Sequence, residues 1–284
     1  MTTLKTNVSR EGFDAVLYPV SDRKDKIVIT LSGSEGGLQH AGKLARFHQE
    51  QGMPALALGY FGTKGTGKAL SNVPLEYVEK AICWLKAQNY KRIAIEGVSK
   101  GAEYALAAAT LFPELTCLIL KTPSWFCGEG LIKKTPSGTS SWSYKGKELP
   151  YTPYKERKFQ LKKTILQTKE YNILSINSGK TVQEDSVFPV EKVNGPVLIF
   201  ATKADTVWPS AESGERLDSR LTQKGFTYPH KYICFSCMSH MMLENANRLV
   251  RLLFKSEKEH PDECARERKE MGTEAAKWLE DIWQ

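Results

Sequence analysis

Short apolar runs recur along this chain, bounded by glycine or polar residues and separated by longer amphipathic stretches. Residues 13–20, 26–32, 53–59, 93–95, 116–121, 196–202 and 231–235 read as strands. Most are nearly continuous in Val, Ile, Leu and Ala, the pattern of strands covered on both faces. Between them, residues 38–51 have a helical pattern. A further helix opens at Pro74, where a missing N–H costs nothing, and sets Leu75, Val78, Ile82 and Leu85 on one face. An alanine-rich segment after Gly101 and a stretch reaching about Lys224 are also helical, and the tail reads as two helices, 241–254 and 262–283. Strand and helix thus alternate, which predicts an α/β fold with a mostly parallel sheet, flanking helices and right-handed crossovers.

The alternation stops near Pro123. Residues 125–191 are rich in Gly, Pro, Ser, Thr, Tyr and Lys, with at most one or two helical pieces, such as 155–169. A structureless loop of this length is uncommon inside a compact domain unless it is functional or disordered. Trp142, Tyr144, Tyr151, Tyr154, Phe159 and Tyr171 argue against disorder. The segment is therefore expected to be a cap inserted over the carboxyl edge of the sheet, within one domain spanning residues 1–284.

Charge adds one feature. The net charge is +8, and the segment from Lys133 to Lys169 holds ten Lys or Arg against two Glu, an excess equal to the whole imbalance. A basic surface of this kind is either solvated or attracts an anionic ligand. No aromatic-plus-basic motif accompanies it, so nucleic acid is not expected as a partner. No stretch approaches the ~20 apolar residues that span a bilayer, and the first ten residues lack a secretory pattern. A cytoplasmic location is expected. The six cysteines then read as reduced thiols.

The chemistry is concentrated where strands end. Residues 93–95 run into Gly97-Val98-Ser99-Lys100-Gly101 and then into the alanine-rich helix. Strand, sharp turn with serine at its apex, then helix is the context of a nucleophile elbow. The serine would stand at a helix N-terminus, where the dipole favours a developing negative charge. Asp205 follows the strand 196–202, and His240 follows the strand 231–235. The order Ser, acid, His is that of the α/β-hydrolase fold. Histidine titrates in the useful range for a base, and a carboxylate fixes its tautomer. Asp205 alone would more often be a cap for the helix starting at Pro209. The backbone N–H of Lys100 is the expected first oxyanion donor. Gly33-Ser34-Glu35-Gly36-Gly37 follows the second strand and should give the other, from Ser34 or Glu35. This loop lacks the ending of a phosphate-binding P-loop. The side chains of Lys100 and Glu103 are expected at the surface or behind the site. His40, His48, His230 and His260 are expected to be structural or exposed. Cys234-x-x-Cys237-x-x-His240 has metal-like spacing, but no second ligand cluster faces it.

These residues resemble the catalytic domain of the acyl-CoA thioester hydrolase / bile acid-CoA:amino acid N-acyltransferase family, in its stand-alone bacterial form. The matching stretches are Gly97-Val-Ser-Lys-Gly-Ala-Glu103, Leu56-Ala-Leu-Gly-Tyr-Phe-Gly62, Leu75-Glu-Tyr77, Ser143-Tyr-Lys-Gly-Lys-Glu-Leu-Pro-Tyr151, Pro189-Val-Glu-Lys-Val-Asn-Gly-Pro196 and Asp205-Thr-Val-Trp-Pro-Ser210. The resemblance implies an α/β-hydrolase acting on acyl-CoA thioesters through an acyl-enzyme, with Ser99 as nucleophile, Asp205 as acid and His240 as base. It also implies that the basic cap suits the phosphates of CoA. Family members that transfer the acyl group to an amino acid carry cysteine at the nucleophile position, so serine favours hydrolysis. The family histidine usually follows glycine, whereas Ser239 precedes His240 here.

Four functions compete on the sequence. One is an acyl-CoA thioesterase. A second is a carboxylesterase, dienelactone-hydrolase-like enzyme or peptidase with the same triad. A third is an acyl-CoA:amino acid N-acyltransferase, and the fourth a binding protein that kept the fold. The expected partner is a small-molecule acyl-CoA or ester. The mechanism requires no cofactor and no metal.

Overall fold

The computed structural model describes residues 3–133, 135–154, 181–244 and 248–284. Its centre is an eight-stranded sheet. In chain order the elements begin with β1 (Leu4–Thr6), α1 (Val8–Glu11), β2 (Asp14–Tyr18), β3 (Lys26–Leu31), α2 (Gln39–Glu50), β4 (Ala55–Gly59), β5 (Val73–Pro74) and α3 (Glu76–Ala87). There follow β6 (Arg92–Val98), α4 (Lys100–Leu111), β7 (Leu115–Lys121), and the short strands β8 (Glu129–Ile132), β9 (Thr135–Ser140), β10 (Trp142–Tyr144) and β11 (Lys147–Glu148). The chain continues through β12 (Val197–Thr202), α5 (Ser210–Gln223), β13 (His230–Phe235), α6 (Arg248–Leu253), α7 (Lys255–Glu259) and α8 (Pro261–Lys277). A π-turn, Trp278–Ile282, extends α8.

The strand order is β1-β2-β4-β3-β6-β7-β12-β13. β3, β4, β6, β7, β12 and β13 run parallel, and β1 and β2 join antiparallel at one edge. The two faces of the sheet divide the apolar residues by strict alternation. Ile27, Ile29, Ile93, Ile95, Leu118, Leu120, Val197 and Ile199 join one core cluster. Val28, Ala94, Cys117, Ile119, Leu198 and Phe200 join another, with Met271, Ala275 and Trp278 from the C-terminal helix. Period-two alternation with both faces buried explains why these strands read as continuous apolar runs.

Several expectations shift. Pro74 does not open a helix. It pairs with Ser143 in a small second sheet, and α3 begins two residues later. Residues 241–244 are not helical, and the tail is split into α6, α7 and α8. The 125–154 stretch forms the hairpin β8/β9 and the pair β10/β11, which the composition did not reveal. The helical piece expected at 155–169, with much of the basic charge, lies outside the described residues. No described helix is long and apolar enough to cross a membrane.

Candidate active site

The elbow is built by the backbone. Ser99 has φ +56° and ψ −121°, a conformation that side-chain-bearing residues rarely adopt. It leaves β6 and enters α4 within one residue, its N–H donating to the Lys121 carbonyl at 2.8 Å. The flanking glycines are required by close approach. A Cβ at Gly97 would stand 2.1 Å from the Gly101 carbonyl oxygen, and one at Gly101 would stand 2.1 Å from the Ser32 carbonyl oxygen. The helix and both neighbouring strands can converge on Ser99 only without those side chains.

Asp205 and His240 arrive from the ends of β12 and β13. His240 Nδ1 lies 2.8 Å from Asp205 Oδ2, and Nε2 lies 2.9 Å from Ser99 Oγ. A carboxylate only accepts, so Nδ1 carries the proton and Nε2 is left to accept from the serine hydroxyl. Asp205 Oδ1 accepts from the backbone N–H groups of Val207 and Trp208, both at 2.9 Å. The carboxylate therefore caps the local turn and orients the imidazole at once. Both His240 and Asp205 are buried, while Ser99 is partly exposed. Such a chain can draw the serine proton to the imidazole as the oxygen attacks an electrophilic carbon.

The loop bearing His240 is held from a distance. Glu267, on α8, accepts from the N–H groups of Ser236, Cys237 and Met238 at 2.6–3.1 Å. Glu257, on α7, accepts from both the N–H (3.0 Å) and the hydroxyl (2.7 Å) of Ser239. Arg268 pairs with Glu257 and donates to the Met241 carbonyl at 3.3 Å. Glu257 and Arg268 are both almost fully buried. Ser239, just before His240, thus has a dedicated acceptor. These three charged residues were missed in the sequence, and no local motif around them signals the contact.

Lys100 and Glu103 are not surface groups. Both are buried beneath the elbow, with Lys100 Nζ 2.8 Å from Glu103 Oε2 and 2.9 Å from Ser141 Oγ. Burial opposes the lysine's charge, but the Glu103 carboxylate outweighs it and lifts the ammonium above its ordinary range. Glu103 Oε1 also accepts from the Gly128 N–H and the Trp142 indole, both at 2.9 Å. The motif's Lys and Glu therefore tie the helix behind Ser99 to the 125–154 segment. A second buried network lies on the other face, where Lys121 pairs with Glu96 and Glu244, and His48 pairs with Glu96.

The glycine-rich loop comes alongside Ser99. The Tyr60 hydroxyl donates to the carbonyls of Ser32 and Gly33 at 2.9 Å each. Glu35 Oε1 accepts from the Gly33 N–H at 3.0 Å and lies 2.6 Å from His40 Nδ1. Burial pushes the Glu35 carboxyl up, but His40 together with the N–H groups of Glu35 and Gly33 outweighs it and leaves it below its ordinary value. A cavity of about 460 Å³ opens beside Ser99 and His240 and is walled by Leu44, Phe61, Leu70 and Met241, with Glu35, His40, Lys68 and Lys133 also lining it. Its size and mixed lining suit a small organic ligand. Another cavity of about 500 Å³, between α2 and α8, touches none of Ser99, Asp205 and His240.

Cys234 and Cys237 do not join His240 around a common point. His240 is engaged by Asp205 and Ser99, and among the described residues no cluster of His, Cys, Asp or Glu could hold a metal. Of the other histidines, His48 is buried against Glu96, His230 lies 2.9 Å from Asp218, and His40 borders the cavity.

The sequence model described as "BAAT / Acyl-CoA thioester hydrolase C terminal" matches residues 73–244, more than half of the chain. Mouse mitochondrial acyl-coenzyme A thioesterase 2 is 24% identical over 218 residues, covering 75% of this chain and 44% of the relative. Mouse acyl-coenzyme A amino acid N-acyltransferase 1 is 26% identical over 206 residues, covering 70% of this chain and 44% of the relative. The chain thus spans under half the length of these relatives. In three dimensions it is similar to an alpha/beta hydrolase from a Medee basin deep-sea metagenome library, with TM-score 0.62 and 16% identity over 100% of this chain and 98% of that one. It is also similar to an esterase from Pyrococcus furiosus, with TM-score 0.54 and 15% identity over 98% of this chain and 92% of that one. An α/β-hydrolase by its fold, the chain belongs to the BAAT / acyl-CoA thioester hydrolase C-terminal family.

Proposed function

We propose that this protein is a serine hydrolase of acyl thioesters, and specifically an acyl-CoA thioesterase. The observation that carries the reading is the unbroken Ser99–His240–Asp205 hydrogen-bond chain at the head of an elbow of the family's form. Ser99 Oγ attacks the thioester carbonyl as its proton passes to His240 Nε2. His240 returns that proton to the departing sulfur, releasing the thiol and leaving the acyl group on Ser99. A water molecule, deprotonated by His240, then attacks the ester. The carboxylic acid leaves and the serine regains its proton.

The oxyanion is received by the amides of Lys100 and Ser34. Ser34 borders both cavities that meet at Ser99, whereas Glu35 borders only the larger, and this favours Ser34 over Glu35 as the second donor. Residues 125–191 act as the cap of a single domain, anchored through Glu103. Lys68 and Lys133 at the larger cavity suit an anionic carrier such as CoA. Serine at the nucleophile position supports water as the acceptor instead of an amine.

The test is CoA release from a panel of acyl-CoAs, beside cleavage of p-nitrophenyl esters of matched chain length. The expected result is CoA release that exceeds ester cleavage and falls by at least about a thousandfold in Ser99→Ala. Ester cleavage without CoA release would move the function to a carboxylesterase. Undiminished turnover in Ser99→Ala would remove the mechanism.

A further inference from the structure

A water-sized cavity adjoins Ser99 on the side of the elbow covered by residues 125–154. Its volume is about 20 Å³, and Ser34, Ser99, Lys100, Thr122, Ser124 and Tyr154 are in its wall. It adjoins the larger cavity, with which it shares Ser34, Ser99 and Leu131, but His240 is not among the residues lining it. About 10–15 Å³ is enough for one water molecule, provided that polar partners surround it.

Thr122 is the unusual member of this wall. It follows β7 directly, beside the elbow, and its N–H donates to the Phe200 carbonyl at 2.9 Å. Its φ is +49°, a region that β-branched residues avoid. Its side chain is buried, with 1% of its surface exposed, yet its hydroxyl has no hydrogen-bond partner among the described residues. By contrast, the neighbouring Ser124 hydroxyl donates to the Phe126 carbonyl at 2.7 Å. Valine would fill the same volume without an orphaned hydroxyl, and asparagine or glycine would relieve the backbone. Two unfavourable features thus meet in one residue, and that residue faces the cavity shared with Ser99.

We propose that the Thr122 hydroxyl holds a single water molecule in this cavity, and that this water is a third hydrogen-bond donor to the oxyanion formed at Ser99, beside the amides of Ser34 and Lys100. The inference rests on Ser99 as the nucleophile. Thr122 positions the water and does not itself touch the reacting atoms. The water accepts from the threonine hydroxyl and donates to the oxyanion, so no proton changes owner.

The test pairs kinetics with a structure. Thr122→Val keeps the shape and removes the hydroxyl. The expected result is a kcat about tenfold lower with KM unchanged, less than the loss for a direct oxyanion donor. Thr122→Ser should restore kcat to near the original value. In a crystal structure of the unmodified protein carrying a phosphonate adduct on Ser99, a water should bridge Thr122 Oγ1 and the phosphonyl oxygen. A Thr122→Val protein with undiminished kcat, or an adduct with no water at that position, would overturn the proposal. Should Thr122→Val fail to fold, the adduct structure decides alone. Failure of the phosphonate to label Ser99 at all would instead overturn the nucleophile assignment beneath it.

Discussion

Ser99 and His240 stand 2.9 Å apart, yet the chain holds them by opposite means. The elbow is set by its own backbone: a strained serine between two glycines whose missing side chains let β6, α4 and the end of β3 converge. The histidine loop has no such local device. Its backbone is gripped from helices that follow it in the chain: Glu267 and Glu257 accept from its N–H groups, and Arg268 donates to its Met241 carbonyl. The first solution depends on what is absent at two positions, the second on charged groups being present at three. The elbow should therefore tolerate no added atom, whereas the loop should tolerate a change of charge and fail when hydrogen-bond acceptors are lost. Lys121 joins the two, since its carbonyl accepts from Ser99 N–H while its ammonium pairs with Glu96 on β6 and with Glu244 beyond His240.

The sharpest test of the contrast is Gly101→Ala. One added carbon would meet the Ser32 carbonyl at 2.1 Å, so β3 and α4 must separate. The expected loss exceeds about 4 kcal/mol, among the largest for a single substitution, and is measured by urea unfolding. A midpoint close to that of the unsubstituted protein would mean that the elbow is softer than its geometry indicates.

A smaller effect is expected from Glu257→Ala. It leaves Arg268 as a buried charge without its partner and frees both donors of Ser239. Breaking a buried pair in this way costs about 3–5 kcal/mol. At a temperature where the variant is folded, kcat should fall more than KM rises, because the base loses its setting and the cavity keeps its walls. Glu257→Gln retains an oxygen acceptor and should recover part of kcat. Equal kcat in the two variants would mean that Glu257 matters only for folding.

The mildest test is acid. Burial raises the carboxyl of Glu96, but Lys121 and His48 outweigh it and hold its pKa at about 2, below the ordinary 4.5. Its contribution to stability is present above pH 4.5 and is lost as pH falls toward 2. The urea midpoint should decline across that interval, and less steeply in Glu96→Gln. Identical slopes would mean that the network carries no titrating contribution.

The same contrast explains what could be read from the chain. The strand, turn and helix around Ser99 are contiguous, and the α/β pattern follows from two-residue alternation in β3, β6, β7 and β12. The order of Ser99, Asp205 and His240 was legible because each follows an apolar run. Contacts between distant segments were not. Glu267 is 31 residues from Ser236, and Lys100 meets Ser141 at a separation of 41. Lys100 and Glu103 could be read as lying at the surface or behind the site, and only the fold decides for the second and shows each neutralising the other. The short strands β8 to β11 escaped because Gly, Ser and Thr mask any alternation, and their pairing is set by long-range contacts such as that of Trp142 with Glu103.

The grip of α7 and α8 on the histidine loop has a consequence for biosynthesis. Glu257, Glu267 and Arg268 come later in the chain than Ser99, Asp205 and His240. A nascent polypeptide can complete its elbow, and even translate its histidine, while these anchors are still inside the ribosome. Until they emerge, the loop that bears His240 lacks the charged partners that hold it in the folded chain. Translation order thus separates formation of the elbow from the anchoring of the histidine loop.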